Sequence, residues 1–110
     1  MELTRGDTGA YKFQRHNADG EVIMEKADEI YFTVKTNGYN DNVLIQKTID
    51  DMEFDEDGYY HFIIQSSDTD NLDYGTYMYD IEVIQNGMKT TVAKNYFILE
   101  EEITWASDEV

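Results

Sequence analysis

Apolar and polar side chains alternate at every second position through most of this chain, and that period predicts strands. In a strand, side chains point to opposite faces in turn, so residues i, i+2 and i+4 share a face. Within residues 10–16, Tyr11 and Phe13 alternate with Lys12 and Gln14. Within residues 29–36, Ile30, Phe32 and Val34 alternate with Tyr31, Thr33 and Lys35. Within residues 43–49, Val43, Ile45 and Ile49 share a face that Lys47 interrupts, and an inward charge predicts an edge strand. Within residues 59–65, Tyr60, Phe62 and Ile64 form the inward set. The longest run follows Leu72: Tyr77, Tyr79, Ile81 and Val83 share one face, Gln85-Asn86-Gly87 interrupts, and residues 88–99 form a second run. Asn-Gly between two such runs is the strongest short-range hairpin signal, because a two-residue primed turn needs positive φ at both positions.

The segments between these runs read as turns. Asn17-Ala18-Asp19-Gly20 combines side chains that bond their own backbone with a glycine that tolerates positive φ. Residues 21–24 read as a short extended piece, and Leu3-Thr4 as a short edge segment. Residues 37–41 form a loop, and residues 50–58 an acidic connection anchored by Met52 and Phe54. Residues 66–72 read as one helical turn, opened by Ser or Asp and turning Leu72 into the core. About seven strands at roughly 8–12-residue spacing predict an all-β fold, an immunoglobulin-like antiparallel β-sandwich. It occupies residues 1–100, and residues 101–110 form an acidic C-terminal tail that carries Ile103 and Trp105 and is expected to fray.

Composition narrows the chemistry. With 110 residues the chain makes one domain with one core. It has no cysteine and no proline, so it has neither disulfides nor thiolate metal sites, and every turn relies on Gly, Asn, Asp and Ser. No apolar run approaches a membrane span, and the first residues lack the apolar core of a signal peptide. The chain is therefore expected to be soluble and to stay in the cell that makes it unless something larger carries it out. The net charge is −16: residues 1–49 hold eight acids and six bases, whereas residues 50–110 hold sixteen acids and two bases. Such a field repels nucleic acid and anionic membrane and attracts basic partners.

Candidate motifs each have a plain structural reading. Arg5-Gly6-Asp7 matches the tripeptide recognised by integrins, but a bend using the backbone freedom of Gly6 is far commoner. Glu53-Phe54-Asp55-Glu56-Asp57-Gly58 imitates the start of a calcium loop. The glutamate required six residues after the glycine is Ile64, and the two flanking helices are missing. Asp68, Asp70 and Asp73 form a second acidic group, and weak surface calcium at either group is the extent of the cofactor expectation. His16 and His61 stand apart from other acid–base candidates and read as exposed strand residues, and Ser66-Ser67 lacks the glycines of a nucleophile elbow. No catalytic, cofactor-binding or metal-ligating residue is assigned. Tyr31, Tyr39, Tyr59 and Tyr74 are expected at the surface, where tyrosine favours protein contacts. Asp73-Tyr74-Gly75-Thr76-Tyr77 resembles a tyrosine corner, with Tyr79 where antibody domains carry their second cysteine. A core Tyr77 would make Tyr77→Ala cost about 3 kcal/mol or more.

A wider pattern runs through these segments. Thr4-Arg5-Gly6-Asp7-Thr8 leads into Tyr11-Lys12-Phe13 and Asp19-Gly20; then come Ile30-Tyr31-Phe32-Thr33-Val34-Lys35, Asp57-Gly58-Tyr59-Tyr60 and Leu72-Asp73-Tyr74-Gly75-Thr76-Tyr77-Met78-Tyr79-Asp80-Ile81. The chain resembles small immunoglobulin-like domains encoded in phages and prophages of low-GC Gram-positive bacteria, and is similar to the N-terminal domain of baseplate upper proteins. The resemblance implies a non-enzymatic structural or accessory protein of a tail, baseplate or capsid surface, whose partners are other virion proteins in a multimeric assembly, with no nucleic acid and no membrane. It brings no catalytic residues, and it implies a location in the virion, or in the host cytoplasm before assembly. The chain is shorter than baseplate proteins, which suits an accessory or connector. The charge suggests a second expectation, an acidic nucleic-acid mimic that inhibits a DNA-binding protein or nuclease. A secreted adhesion or carbohydrate-binding module is a third.

Overall fold

The computed structural model describes residues 1–37 and 42–101. Eight strands run in order: β1 (Glu2–Thr4), β2 (Gly9–Gln14), β3 (Glu29–Lys35), β4 (Val43–Thr48), β5 (Glu53–Phe54), β6 (Tyr59–Ile64), β7 (Gly75–Gln85) and β8 (Met88–Glu100). A 3-10 turn at Ile49–Asp51 and one α-helical turn, α1 (Ser66–Thr69), complete the described elements. The fold is all-β. One sheet has the order β1-β8-β7-β3-β4 and the other the order β2-β6-β5. These are the two strand groups of an immunoglobulin-like sandwich, in which the second, fifth and fourth strands of the frame face the third, sixth and seventh. β1 joins the larger sheet by running parallel to the end of β8, with Leu3 opposite Leu99.

The alternating faces close on each other as the period demands. Ile30, Phe32 and Val34 of β3 are fully buried, as are Tyr60 and Ile64 of β6 and Phe97 of β8. Phe32 sits at the centre, 4.7 Å from the ring of Phe62 across the sandwich and 5.6 Å from that of Tyr79 beside it. A second aromatic cluster surrounds Tyr60, whose ring lies 5.1 Å from Phe13 and 4.6 Å from Phe54. The Tyr60 hydroxyl accepts a hydrogen bond from the buried Ala27 N–H at 2.9 Å.

The hairpin turns at Asn86 and Gly87, with φ of 54° and 79°, as a primed turn requires. The turn before β3 forms because the Asn17 side chain accepts the N–H groups of Asp19 and Glu21. β4 is an edge strand, and Lys47 lies opposite Phe32 in the register.

Three expectations are corrected. β5 adds an eighth strand inside the acidic connection, where two residues pair with β6 through Phe54 and Tyr60. Residues 21–24 do not form a strand: one bridge joins His16 to Val22, and the chain then crosses to the other sheet. Tyr77 is half-buried rather than part of the buried core. Its hydroxyl donates to the Asp73 carbonyl, so the tyrosine corner is formed. Burial, and after it the charge of Asp73, holds the phenol above its ordinary pKa and keeps it a donor. Tyr77→Phe is expected to lower unfolding free energy by about 1 kcal/mol, the net value of one hydrogen bond. An unchanged urea midpoint would show that the corner contributes nothing.

Candidate functional site

Of the acids and histidines singled out in the sequence, Asp55, His61 and Asp68 are engaged in structure. Asp55 closes the turn before β6: its Oδ1 accepts the N–H groups of Asp57 and Tyr59, each at 2.9 Å. Its Oδ2 lies 2.7 Å from His61 Nε2. The sequence reading left His61 without a partner, and the structure supplies one six residues away across the β5–β6 turn. The His61 hydrogen bond, and next that from Tyr59, hold the Asp55 carboxyl below its ordinary range. The unfolded chain then binds this proton more readily than the folded one. The contribution of Asp55 is therefore present above the ordinary aspartate pKa of about 3.9 and lost as pH falls through the depressed folded value. Asp55→Asn should flatten the fall of the urea midpoint over that acid range relative to the parent chain. Parallel curves for the two would remove Asp55 from the linkage.

Asp68 of the second acidic group accepts the Gln65 N–H at 2.8 Å and pairs with Lys47 at 2.8 Å. It therefore caps α1, where Gln65 and not a serine or aspartate is the residue before the helix. Among the described residues no three His, Cys, Asp or Glu side chains are grouped to hold a metal ion. Arg5 is tied down as well: it donates to the Leu72 carbonyl and the Tyr74 hydroxyl, and its guanidinium lies 4.5 Å from the centre of the Tyr74 ring. Asp7 N donates to the Thr4 carbonyl, and Gly6 takes φ of 92°, so the tripeptide is a turn that bends β1 towards β2. Tyr31 and Tyr59 are half-exposed and Tyr74 is exposed. Tyr39, Ile103 and Trp105 lie outside the described residues.

The surface with the most unmet bonding capacity is one long side of the sandwich. β1 pairs with residues 98–100 of β8 and goes no further. Met1 extends the contact, its carbonyl accepting from Ile98 and its amino group donating to the Tyr96 carbonyl. Residues 88–95 of β8 have no strand on that side among the described residues. Such an edge presents rows of N–H and C=O groups to a further strand. Exposed apolar side chains follow it: Met88 is 74 % exposed, Val92 41 % and Tyr96 56 %. Val92 is the extra residue of a bulge, since Ile81 faces Ala93 while Glu82 faces Thr91.

Beside this edge the two sheets separate into a groove of about 600 Å³. Ile23, Val83, Met88 and Val92 give it an apolar lining, with Arg15 and Gln85 as polar members. A second groove, of about 580 Å³, lies between β4 and the short β5 and is lined by the engaged Lys47, Asp55 and His61. Residues 83–99 contain no acid, although the chain has 24. The outer face of that hairpin is neutralised pair by pair, with Lys89 3.4 Å from Glu82 and Lys94 opposite Asp80. No helix among the described residues is long and apolar enough to cross a membrane.

No family model matches this chain, and no curated protein matches it.

Proposed function

We propose that this chain is a non-enzymatic, protein-binding immunoglobulin-like module that serves as a structural or accessory component of a phage particle. The observation that carries the reading is the open outer edge of β8. It combines backbone with no strand partner among the described residues, the exposed Met88, Val92 and Tyr96, and an adjoining apolar groove. Addition of a strand to such an edge draws affinity from main-chain hydrogen bonds and specificity from side-chain pockets. The sequence resemblance to baseplate N-terminal domains supports a place on a tail, baseplate or capsid surface. In a particle, symmetry repeats a weak edge contact many times, so modest affinity per copy is enough. The acid-free edge favours contacts with protein over mimicry of a nucleic-acid backbone, which would need carboxylates ranged along the binding face. The test is mass spectrometry of particles purified after induction of a prophage that encodes the chain. Recovery at a constant ratio to major tail or capsid proteins is the expected result. Consistent absence from intact particles would overturn the virion assignment.

A further inference from the structure

Arg15 points to what occupies the groove. It follows Tyr11 and Phe13 on the inward parity of β2 and is 8 % exposed. Its Nη2 donates to the Glu25 carbonyl at 2.7 Å, and its Nε has no hydrogen-bond partner among the described residues. No carboxylate there lies within ion-pair distance of it: Glu25, whose carbonyl takes the Arg15 bond, directs its carboxylate to Gln85 Nε2 at 3.1 Å. Gln85 Oε1 is likewise buried without a partner. A buried guanidinium with a bare N–H is costly, and so is a buried amide oxygen without a donor. Both atoms belong to residues that line the same groove. One lacks an acceptor and the other a donor, and an extended peptide carries both at every residue. A carboxylate on that peptide would also answer the unpaired charge of Arg15.

We infer that the groove and the open edge of β8 receive the acidic C-terminal segment, residues 101–110, of a second copy of this chain. This rests on the reading of the sandwich as a protein-binding module and names its partner. The segment has the required chemistry. Glu101 and Glu102 supply carboxylates, and Ile103 and Trp105 are two residues apart, so they would share one face if the segment docks as an extended strand. That face suits a groove walled by Ile23, Val83, Met88 and Val92. A chain's own segment is poorly placed to fill its own groove. β1 already occupies the position beside residues 98–100, which is where a strand folding back from Glu101 along β8 would have to start. The joint is therefore between copies: an exchange in both directions closes a two-fold pair, and an exchange in one direction builds a row.

The test uses two full-length variants that damage opposite halves of the joint. Met88→Asp places a charge at the groove mouth, on a side chain 74 % exposed, where the fold does not depend on it. Trp105→Ala removes the apolar anchor of the segment and leaves the groove intact. By sedimentation at physiological salt, the parent chain should associate with rising concentration. Each variant alone should associate at least about tenfold more weakly. An equimolar mixture should recover association, because the intact segment of Met88→Asp meets the intact groove of Trp105→Ala. A parent chain monomeric throughout, a variant that associates as well as the parent, or a mixture no better than its parts would each overturn the inference. Particle composition is measured separately, so failure of the joint leaves the virion assignment to its own assay.

Discussion

Tyr60→Ala is expected to remove about 3–5 kcal/mol of unfolding free energy, the range for truncating a large buried aromatic. Domains of this kind hold only about 5–15 kcal/mol in total, so the variant should be partly unfolded at room temperature. The site explains the size. Tyr60 is fully buried at the middle of the smaller sheet, stacked on Phe13 of β2 and tilted against Phe54 of β5. Both flanking strands lose their shared contact when the ring goes, and β5, with two paired residues, has little else to hold it. Tyr60→Phe separates packing from bonding. It keeps the ring but leaves the buried Ala27 N–H without its acceptor, which should cost about 1–3 kcal/mol. Urea denaturation of both variants checks the pair. A Tyr60→Phe variant as stable as the parent would mean that Ala27 N–H finds water and that the hydroxyl is incidental.

Local periodicity carried the fold because burial in a sandwich is a property of parity. Tyr60, Phe62 and Ile64 all reach the core, as do Ile30, Phe32 and Val34. The primed turn at Asn86-Gly87 was legible because two adjacent positive φ values select those residues. β5 was not legible: a two-residue strand has no period, and its pairing is set by where β6 happens to run. The same limit hid the partner of His61, since a turn and not a spacing rule brings Asp55 to it. Tyr77 shows parity overstating burial. It shares the inward face of β7 but lies near the start of the strand, two residues after Gly75, where its ring packs against the core and stays half-exposed.

The candidate surface was less legible than the core, for a related reason. The sequence placed Arg15 within the second strand and Lys47 within the fourth, and both fall on the inward parity of their strands. Parity says that such a cation must be accommodated but not by what. Lys47 meets a carboxylate on α1, whereas Arg15 meets a single backbone carbonyl. That difference separates a closed edge of the sandwich from an open one. The concentration of acids in the second half of the chain also concealed the acid-free stretch that forms the edge, because strand pairing sets Lys89 and Lys94 against Glu82 and Asp80.

Breaking the Lys47–Asp68 pair should be strongly asymmetric. The side chains are 16 % and 25 % exposed, between a surface pair worth about 0–1 kcal/mol and a buried one whose disruption costs about 3–5 kcal/mol. Asp68→Ala leaves a half-buried ammonium facing Phe32 with no counter-charge and also strips the acceptor of the Gln65 N–H, so a loss of about 2–3 kcal/mol is expected. Lys47→Met keeps the apolar stem in place and leaves Asp68 capping α1, so its stability should stay within about 1 kcal/mol of the parent. In the double variant the cost of losing Asp68 should shrink towards that of a helix cap, about 1 kcal/mol. Equal losses in the two single variants would show the attraction itself to be stabilising and would sink this account. What Lys47 contributes is protection of an edge: an inward charge on β4 disfavours addition of a foreign strand there. Lys47→Met should therefore scatter more light than the parent in concentrated solution while unfolding at a similar urea midpoint.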